Sequence, residues 1–384
     1  MTTPITFELD RYTDPPATYA ANTHRGPGVT SLYYQNEEYF GRETRVFGWI
    51  GMPYLRKGDR CPAMVLVHGG RGTAFDEWVR LWNGRGYAAI AIDLCGCVPR
   101  MPTPTTGLKH ERHEFAGPNG WDASFDQMHD ETEDQWQFHA ITALLRAHTI
   151  IANTEGVDPN RIGVTGISWG GYLTCLMMGI DPRYKAAIPI YGCSFMTDST
   201  RQEIRGQDRH RQEEVDAWGK RWDAIHYIPN GRMPSLWVTG TNDGAYPFDR
   251  FAHSYACAAD PTVSIRVEMP HGHTQGWAPN EIHHYTDAIV SGRAPLPRHV
   301  ETRAHAGSIV SRFESARPLM GADLCYTRAL GMWTDRKWNQ LAVSLEEDGT
   351  AYEVCAELPI DTTAAFINVR DDRDLLVSST HIEP

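Results

Sequence analysis

From Arg60 onward, the chain alternates short apolar runs with longer segments whose apolar residues recur at helical spacing. The runs are nearly continuous in apolar residues, as in parallel strands that are buried on both faces. They occupy residues 63–67, 88–94, 161–165, 186–191, 235–239 and 264–269. Because strands and helices alternate, the pattern predicts an α/β fold with a mostly parallel sheet flanked by helices.

The segments around this core differ from the simple alternation. Residues 31–54, which contain the run Arg-Val-Phe-Gly-Trp-Ile at 45–50, predict an antiparallel edge hairpin that opens the sheet. The connections at about 95–131 and 194–232 are longer than a turn requires, and both follow parallel strands. Ligands in such sheets bind beyond the carboxyl ends of the strands, so we expect these two insertions to wall a pocket.

The pattern changes near Gly292, where a proline-rich linker begins. Apolar and polar residues alternate around Leu341, Val343 and Leu345. After a turn at 347–350, apolar residues recur at every second position from 352 to 358. Two alternating segments joined by a turn predict a hairpin. Shorter apolar runs at 366–369 and 375–377 add two strands. We therefore predict two domains, a catalytic α/β domain at 1–292 and a small all-β, sandwich-like module at 293–384.

Composition narrows the function classes. The chain has 384 residues, 41% hydrophobic and 22% charged, with a net charge of −12. This balance argues against nucleic acid or an anionic membrane as the main partner. The first residues show no basic and apolar signal-peptide pattern and the eight cysteines are scattered, which predicts a cytoplasmic protein with reduced thiols. The sequence does not indicate an oligomeric state.

Ser168 lies in the motif Gly-Ile-Ser-Trp-Gly at 166–170, between a predicted strand and a predicted helix. A tight strand-to-helix turn lifts a serine hydroxyl clear of the sheet, and the crowded backbone there requires glycines. The context therefore predicts that Ser168 is a nucleophile and that the backbone N–H of Trp169 faces the developing oxyanion.

An activated serine needs a base and a group that orients the base. Asp243 follows the fifth parallel run in Thr-Asn-Asp-Gly, with Asp249 as the alternative acid, and His271 and His273 follow the sixth. Because Pro270 cannot donate to a strand ladder, the last strand is expected to end at Met269, and Gly272 permits a turn toward the serine. This geometry favours His273 as the base over His271, which is then a pocket neighbour.

The oxyanion hole needs a second donor. The first parallel strand runs into His-Gly-Gly-Arg at 68–71, where the amide of Gly70 or Arg71 can approach a ligand closely. His68 is expected to fix this loop. Trp277, Tyr246 and His271 are the further candidates for the substrate pocket, beside Trp169. The Cys95–Cys97 pair lacks the companion ligands of a zinc site, so neither a metal nor an organic cofactor is predicted.

These motifs carry a family resemblance. The chain resembles the α/β-hydrolase superfamily in four motifs: His-Gly-Gly at 68–70, the serine motif at 166–171, Gly-Thr-Asn-Asp-Gly-Ala-Tyr-Pro at 240–247 and Met-Pro-His-Gly-His-Thr-Gln-Gly-Trp at 269–277. More narrowly, they resemble the prolyl-oligopeptidase and dienelactone-hydrolase-like branch that includes acetyl xylan esterases, over residues 46–290. The order Ser, Asp, His is that of α/β-hydrolases. Dienelactone hydrolases carry cysteine at the serine position, which sets this chain apart from their chemistry.

The residues and the resemblance together predict a serine hydrolase that cleaves carboxylic esters of a small molecule through an acyl-enzyme. Short acyl groups, acetyl above all, are the expected preference, and acetylated carbohydrate is a candidate substrate. A peptidase or acylaminoacyl hydrolase would use the same triad and remains the main alternative. A dehalogenase-like activity would need an aspartate at the position of Ser168. A non-catalytic binding module on the same fold would be expected to have lost a triad residue.

Overall fold

The computed structural model describes residues 4–21, 28–100, 110–120, 125–197, 207–305 and 307–384. Its strands are β1 (Thr18–Ala20), β2 (Val29–Gln35), β3 (Arg45–Gly51), β4 (Cys61–Val67), β5 (Ala88–Ile92), β6 (Cys97–Val98), β7 (Glu111–Arg112), β8 (Val157–Ile167), β9 (Ala186–Ile190), β10 (Ser235–Gly240), β11 (Pro261–Arg266), β12 (Arg298–His305), β13 (Ser308–Glu314), β14 (Leu319–Thr327), β15 (Trp338–Val343), β16 (Glu346–Asp348), β17 (Ala351–Glu357), β18 (Ala364–Asp371) and β19 (Leu376–Ser378). Its helices are α1 (Asp76–Asn83), α2 (Trp136–Ala152), α3 (Trp169–Ile180), α4 (Gln212–Trp222), α5 (Phe248–Tyr255), α6 (His273–Trp277) and α7 (Asn280–Ser291).

The central sheet has the strand order β1-β2-β3-β5-β4-β8-β9-β10-β11. In this sheet the neighbouring strands of the series β5-β4-β8-β9-β10-β11 pair in parallel, while β1, β2 and β3 pair antiparallel and form the predicted antiparallel edge. Along β4, Val65 and Val67 pack in one apolar cluster with α2 and α3, whereas Met64 and Leu66 pack in a second cluster with α1 and α7. Both faces are therefore buried, which explains the continuous apolar runs and confirms the predicted fold class.

The last parallel strand ends earlier than the sequence predicts. β11 stops at Arg266 instead of Met269. Glu268 has a positive φ of 54°, and its N–H donates to Thr241 Oγ1 at 3.0 Å rather than to a neighbouring strand. The chain thus turns away from the sheet several residues before Pro270, and this displaces both histidines relative to the predicted positions.

The C-terminal residues form two antiparallel sheets of four strands, in the orders β12-β13-β17-β16 and β15-β14-β18-β19. Apolar side chains of both sheets share one cluster, among them Ile309, Leu324, Val354 and Ile367. The predicted hairpin is wrong in its pairing. β15, with Leu341 and Val343, pairs with β14, and only the short β16 forms a hairpin with β17. The chain changes sheets between β15 and β16, which alternation alone does not reveal.

This β-sandwich contacts the central sheet along its β11 edge. The N–H of Ile265 donates to Ser378 Oγ at 2.7 Å, and Asn368 Nδ2 donates to the carbonyl of Ile265 at 3.1 Å. The N–H of Leu376 donates to the buried carboxylate of Glu281 in α7 at 2.7 Å. The sandwich therefore covers a sheet edge that would otherwise expose unpaired backbone groups. The domain boundary near residue 292 stays a prediction.

The insertions at about 95–131 and 194–232 lie partly outside the described residues. Within the ranges that the structure covers, no helix combines the length and the apolar character needed to cross a lipid bilayer. A cytoplasmic location stays a prediction.

Candidate active site

Ser168 occupies the sharp turn between β8 and α3. Its backbone has φ 58° and ψ −115°, a conformation that is uncommon and strained for a residue with a side chain. The turn is held by hydrogen bonds from the Ser168 N–H to the carbonyl of Ile190 and from the Tyr172 N–H to the carbonyl of Ser168, both 2.9 Å. A Cβ at Gly166 would collide with the carbonyl of Gly170. The glycine is therefore needed for this close approach, as the motif predicts.

Asp243 lies in the loop after β10 and is fully buried. Its Oδ1 accepts hydrogen bonds from the N–H groups of Ala245 at 2.9 Å and Tyr246 at 2.7 Å. Its Oδ2 lies 2.6 Å from Nδ1 of His271. Asp249 instead lies in α5, where it pairs with Arg250 at 3.6 Å. Of the two acids considered, the structure thus places Asp243 against an imidazole.

The imidazole that Asp243 contacts belongs to His271 and not to His273, contrary to the sequence-based expectation. The expectation assumed a strand that continues to Met269. Because β11 ends at Arg266, His271 lies five residues past the strand, far enough along the loop to turn back to Asp243. His273 instead begins α6.

Two tyrosines flank the His271 ring. The Tyr191 ring lies 4.3 Å from it between centroids, and the Tyr246 ring lies 6.4 Å away and nearly parallel. The Tyr191 hydroxyl donates to the carbonyl of Gly272 and accepts from the Gly272 N–H at 3.3 Å. Burial raises the pKa of Tyr191 well above its ordinary value, so the phenol stays protonated and can donate. Sequence reasoning missed Tyr191; its place directly after β9, at the same sheet edge as Ser168, was the available signal.

His273 takes a different position, on the loop at 68–72. Its Nε2 accepts the N–H of Gly69 at 3.0 Å, and its ring lies 4.7 Å from that of Phe75. A Cβ on Gly69 would come within 2.9 Å of the Ser168 Cβ and 3.2 Å of His273 Nε2. Ser168 and His273 therefore both lie on the side of Gly69 toward which a Cβ would project, and a side chain at position 69 would stand between them.

His68 anchors the start of the same loop, as expected. Its Nε2 accepts the Leu94 N–H at 2.9 Å, which leaves the proton on Nδ1 for the carbonyl of Gly69 at 2.7 Å. Burial lowers the pKa of His68, which keeps the ring neutral. The Gly72 N–H closes a turn onto the Gly69 carbonyl at 3.1 Å, with Gly70 and Arg71 at its tip. The amides of Gly70 and Arg71 remain the candidates for the second oxyanion donor, beside Trp169 at the start of α3.

The Trp169 side chain is buried in an aromatic cluster. Its ring lies 5.6 Å from that of Phe125, 5.2 Å from that of Trp136 and 5.3 Å from that of Tyr172. Phe125 in turn lies 4.7 Å from Trp218 of α4. Phe125 and α4 come from the two predicted insertions, so the described parts of both insertions meet beside the serine.

Trp277 lies elsewhere. Its side chain is 5% exposed and packs on Phe75 and Trp78, with ring centroids 5.4 Å away in each case. The structure thus places Trp277 in the core behind His273, whereas Tyr246 and His271, the other predicted pocket residues, lie together at Asp243.

One group of described residues has ligand atoms close enough to hold a metal ion. His129, His210 and Glu214 place ligand atoms within 4.8 Å of one another. The Glu214 carboxylate already accepts hydrogen bonds from the side chain and backbone of Arg211, including one of 2.6 Å. This arrangement fits a surface ion pair between Glu214 and Arg211.

Comparisons with known proteins bear on the family and the fold. The family model for acetyl xylan esterase matches residues 29–236. Two solved structures resemble the chain. Acetyl xylan esterase from Paenibacillus sp. R4 has a TM-score of 0.52 and 21% identity, and the match covers 69% of this chain and 90% of that one. Acetyl xylan esterase 1 from Thermoanaerobacterium sp. JW/SL YS485 has a TM-score of 0.50 and 17% identity, and the match covers 69% of this chain and 88% of that one. At these identities they support the fold alone, which is the α/β-hydrolase fold that the motifs resemble.

A curated relative is the uncharacterized peptidase YuxL of Bacillus subtilis strain 168, 24% identical over 230 residues. The match covers 53% of this chain and 29% of YuxL, so the chain aligns with less than a third of that relative. The family model ends at residue 236, before Asp243 and His271. The assignment of these two residues therefore depends on the geometry described above.

Proposed function

The chain belongs to the acetyl xylan esterase family, a family of carboxylic ester hydrolases, and from this premise we propose that Ser168, His271 and Asp243 form its catalytic triad. The observation that carries the proposal is the 2.6 Å contact between His271 Nδ1 and the buried Asp243 carboxylate. With Nδ1 engaged in this way, Nε2 of His271 is the nitrogen left to exchange a proton with a nucleophile. The strained elbow supplies Ser168 as that nucleophile.

In the proposed reaction, Ser168 Oγ attacks the ester carbonyl carbon while its proton passes to His271 Nε2. The tetrahedral intermediate collapses, the bond to the leaving oxygen breaks, and that oxygen takes the proton and departs as the alcohol. Water then repeats the steps on the acyl-enzyme and releases the carboxylic acid. The Trp169 amide and an amide of Gly70 or Arg71 stabilise the oxyanion in both halves.

We further propose that the substrate carries a short acyl group, acetyl above all, on the hydroxyl of a small molecule such as a sugar. Support comes from the family and from the dense packing beside Ser168. Trp169, Phe125 and Trp136 fill the space at the start of α3 with large rings. Packed aromatic rings favour a small acyl group over a long chain, because an added methylene must displace well-packed atoms.

A substrate panel tests this proposal. p-Nitrophenyl esters from acetate to decanoate are compared with acetylated xylo-oligosaccharides and with aminoacyl p-nitroanilides, and Ser168→Ala serves as the blank. We expect the highest kcat/KM with acetate and with the acetylated sugars. An optimum at eight carbons or more would reject the short acyl group, and anilide hydrolysis at the rate of the esters would favour the peptidase alternative that the YuxL match raises.

A further inference from the structure

Asn242, directly before Asp243, is bound to the C-terminal β-sandwich. Its Nδ2 points into a ring of three backbone carbonyls, those of Trp333 at 3.4 Å, Thr334 at 3.1 Å and Arg336 at 2.6 Å. These carbonyls belong to the short 3-10 helix Trp333–Asp335 and its end. One side-chain amide thus satisfies carbonyls of a turn that is about 90 residues away in sequence.

The same side chain is linked to the loop that carries His271. Thr241 Oγ1 donates to Asn242 Oδ1 at 2.7 Å and accepts the Glu268 N–H at 3.0 Å. Thr241 is fully buried. Because a hydroxyl that accepts one bond and donates another has a defined orientation, the chain Glu268, Thr241, Asn242 fixes the Asp243 loop against the His271 loop.

The far end of the Asp243 loop is also held by the sandwich. Phe248, the first residue of α5, is fully buried. Its ring contacts the rings of Trp333, Trp338, Phe366 and His381, with centroids 5.2, 5.8, 6.0 and 4.9 Å away. The loop at 241–248 is therefore fastened at both ends to residues outside the region that the family model matches.

We propose that the β-sandwich is part of the catalytic unit and that Asn242 is a positioning residue, which holds Asp243 where it orients His271. The proposal depends on the triad proposed above. A carboxylate that orients an imidazole must stay within about 0.5 Å of its place. Asn242 supplies this constraint, because it directly precedes Asp243 and is held by backbone carbonyls of the β-sandwich.

The test compares two asparagines with the same chemistry at the same interface. Asn242→Ala removes the amide beside Asp243. Asn368→Ala removes an amide that donates to the carbonyl of Ile265 on β11 and to Cys325 Sγ, and not to the Asp243 loop. Both variants remove a donor to backbone carbonyls, so both should lower the melting temperature by several degrees. Only Asn242→Ala should lower kcat on p-nitrophenyl acetate, by about 10- to 100-fold, with KM within about twofold.

A second readout separates positioning from stability. The low-field proton NMR resonance of the hydrogen between His271 Nδ1 and Asp243 should broaden or shift in Asn242→Ala and stay unchanged in Asn368→Ala. If Asn242→Ala does not fold, Thr241→Val removes only the linking hydroxyl and should lower kcat in the same direction, and Thr241→Ser should restore it.

The outcomes distinguish this inference from the proposed function. If Ser168→Ala and His271→Ala abolish turnover while Asn242→Ala and Thr241→Val keep the wild-type kcat and resonance, the positioning role is wrong and the triad stands. An equal loss of kcat in Asn242→Ala and Asn368→Ala also overturns it, because the effect is then general to the interface. If His271→Ala keeps its activity, the triad itself fails.

Discussion

Separate alanine replacements of His271 and His273 assign the catalytic base. His271→Ala removes the side chain that contacts the fully buried Asp243 carboxylate at 2.6 Å, and with it the proposed proton acceptor. Loss of the base of a serine triad costs on the order of a thousandfold or more in kcat. We therefore expect His271→Ala to fall close to the level of Ser168→Ala.

His273→Ala should have a much smaller effect. It removes the acceptor of the Gly69 N–H, a hydrogen bond of 3.0 Å at the loop beside Ser168. A buried donor left without a partner costs about 1–3 kcal/mol. If this whole cost appears in the transition state, kcat/KM falls by about 5- to 150-fold, since about 1.4 kcal/mol corresponds to a factor of ten. A decrease on the order of tenfold is the central expectation.

The assay is steady-state hydrolysis of p-nitrophenyl acetate, together with the rate of labelling by a fluorophosphonate, which reports the reactivity of Ser168 without substrate turnover. Labelling should be lost in Ser168→Ala, very slow in His271→Ala and moderately slowed in His273→Ala. Melting temperatures of the three variants show whether they are folded. If His273→Ala drops to the level of Ser168→Ala while His271→Ala keeps a tenth or more of the wild-type rate, the base is His273 and the assignment from geometry is refuted.

Three other changes test further parts of the structure. Gly72→Ala would place a Cβ 2.6 Å from His273 Nε2, so the loop must shift. We expect kcat/KM to fall at least tenfold while the melting temperature stays close to that of the wild type. Unchanged kinetics would contradict the tight packing of this loop. Burial lowers the pKa of His139 and of His148 to about 4, so the unfolded chain binds protons that the folded chain does not, and stability should be lost as the pH falls from about 6.5 to 4, on the order of 3 kcal/mol per histidine. Urea unfolding at pH 7 and pH 5 measures the part of this loss that falls in that interval, about 2 kcal/mol per histidine, and His148→Phe should have a smaller loss; an equal loss in the variant would reject the cause. Deleting residues 293–384 would uncover the β11 edge, so we expect insoluble protein or a much lower melting temperature. A soluble truncated chain with an unchanged melting temperature would argue against tight docking of the β-sandwich on the central sheet.

Local sequence was enough for the fold class and for the class of reaction, a carboxylic ester hydrolysis. The continuous apolar runs indicated a parallel sheet because strands such as β4 bury alternate side chains in two different clusters, Val65 on one face and Leu66 on the other. The elbow at Ser168 was predictable because its requirements, a strand, glycines and a helix, are all local. Asp243, the proposed acid of the triad, was a candidate for the same reason, because it is an acid in a turn directly after a strand.

The choice between His271 and His273 required the tertiary structure. The prediction depended on where β11 ends, and just past that end the Glu268 N–H donates to Thr241 Oγ1 of the neighbouring loop instead of to a strand. Strand ends are poorly determined by local propensity, since they depend on whether the next residue still has a partner in the sheet. The predicted end of β11 was three residues too late, at Met269 instead of Arg266. This difference was enough to favour His273 over His271, which lies only two residues before it.

The pairing of the C-terminal strands and the role of Asn242 were beyond local pattern for a related reason. Alternation of apolar and polar residues indicates that β15 and β17 are strands, but it contains no information about which sheet each one joins. Asn242 reads as an ordinary turn residue until the carbonyls of Thr334 and Arg336 are brought to it by the fold. Residue type and spacing define what a side chain can do, whereas contacts between residues that are distant in sequence decide which partner it has, because those contacts form only when the whole chain packs.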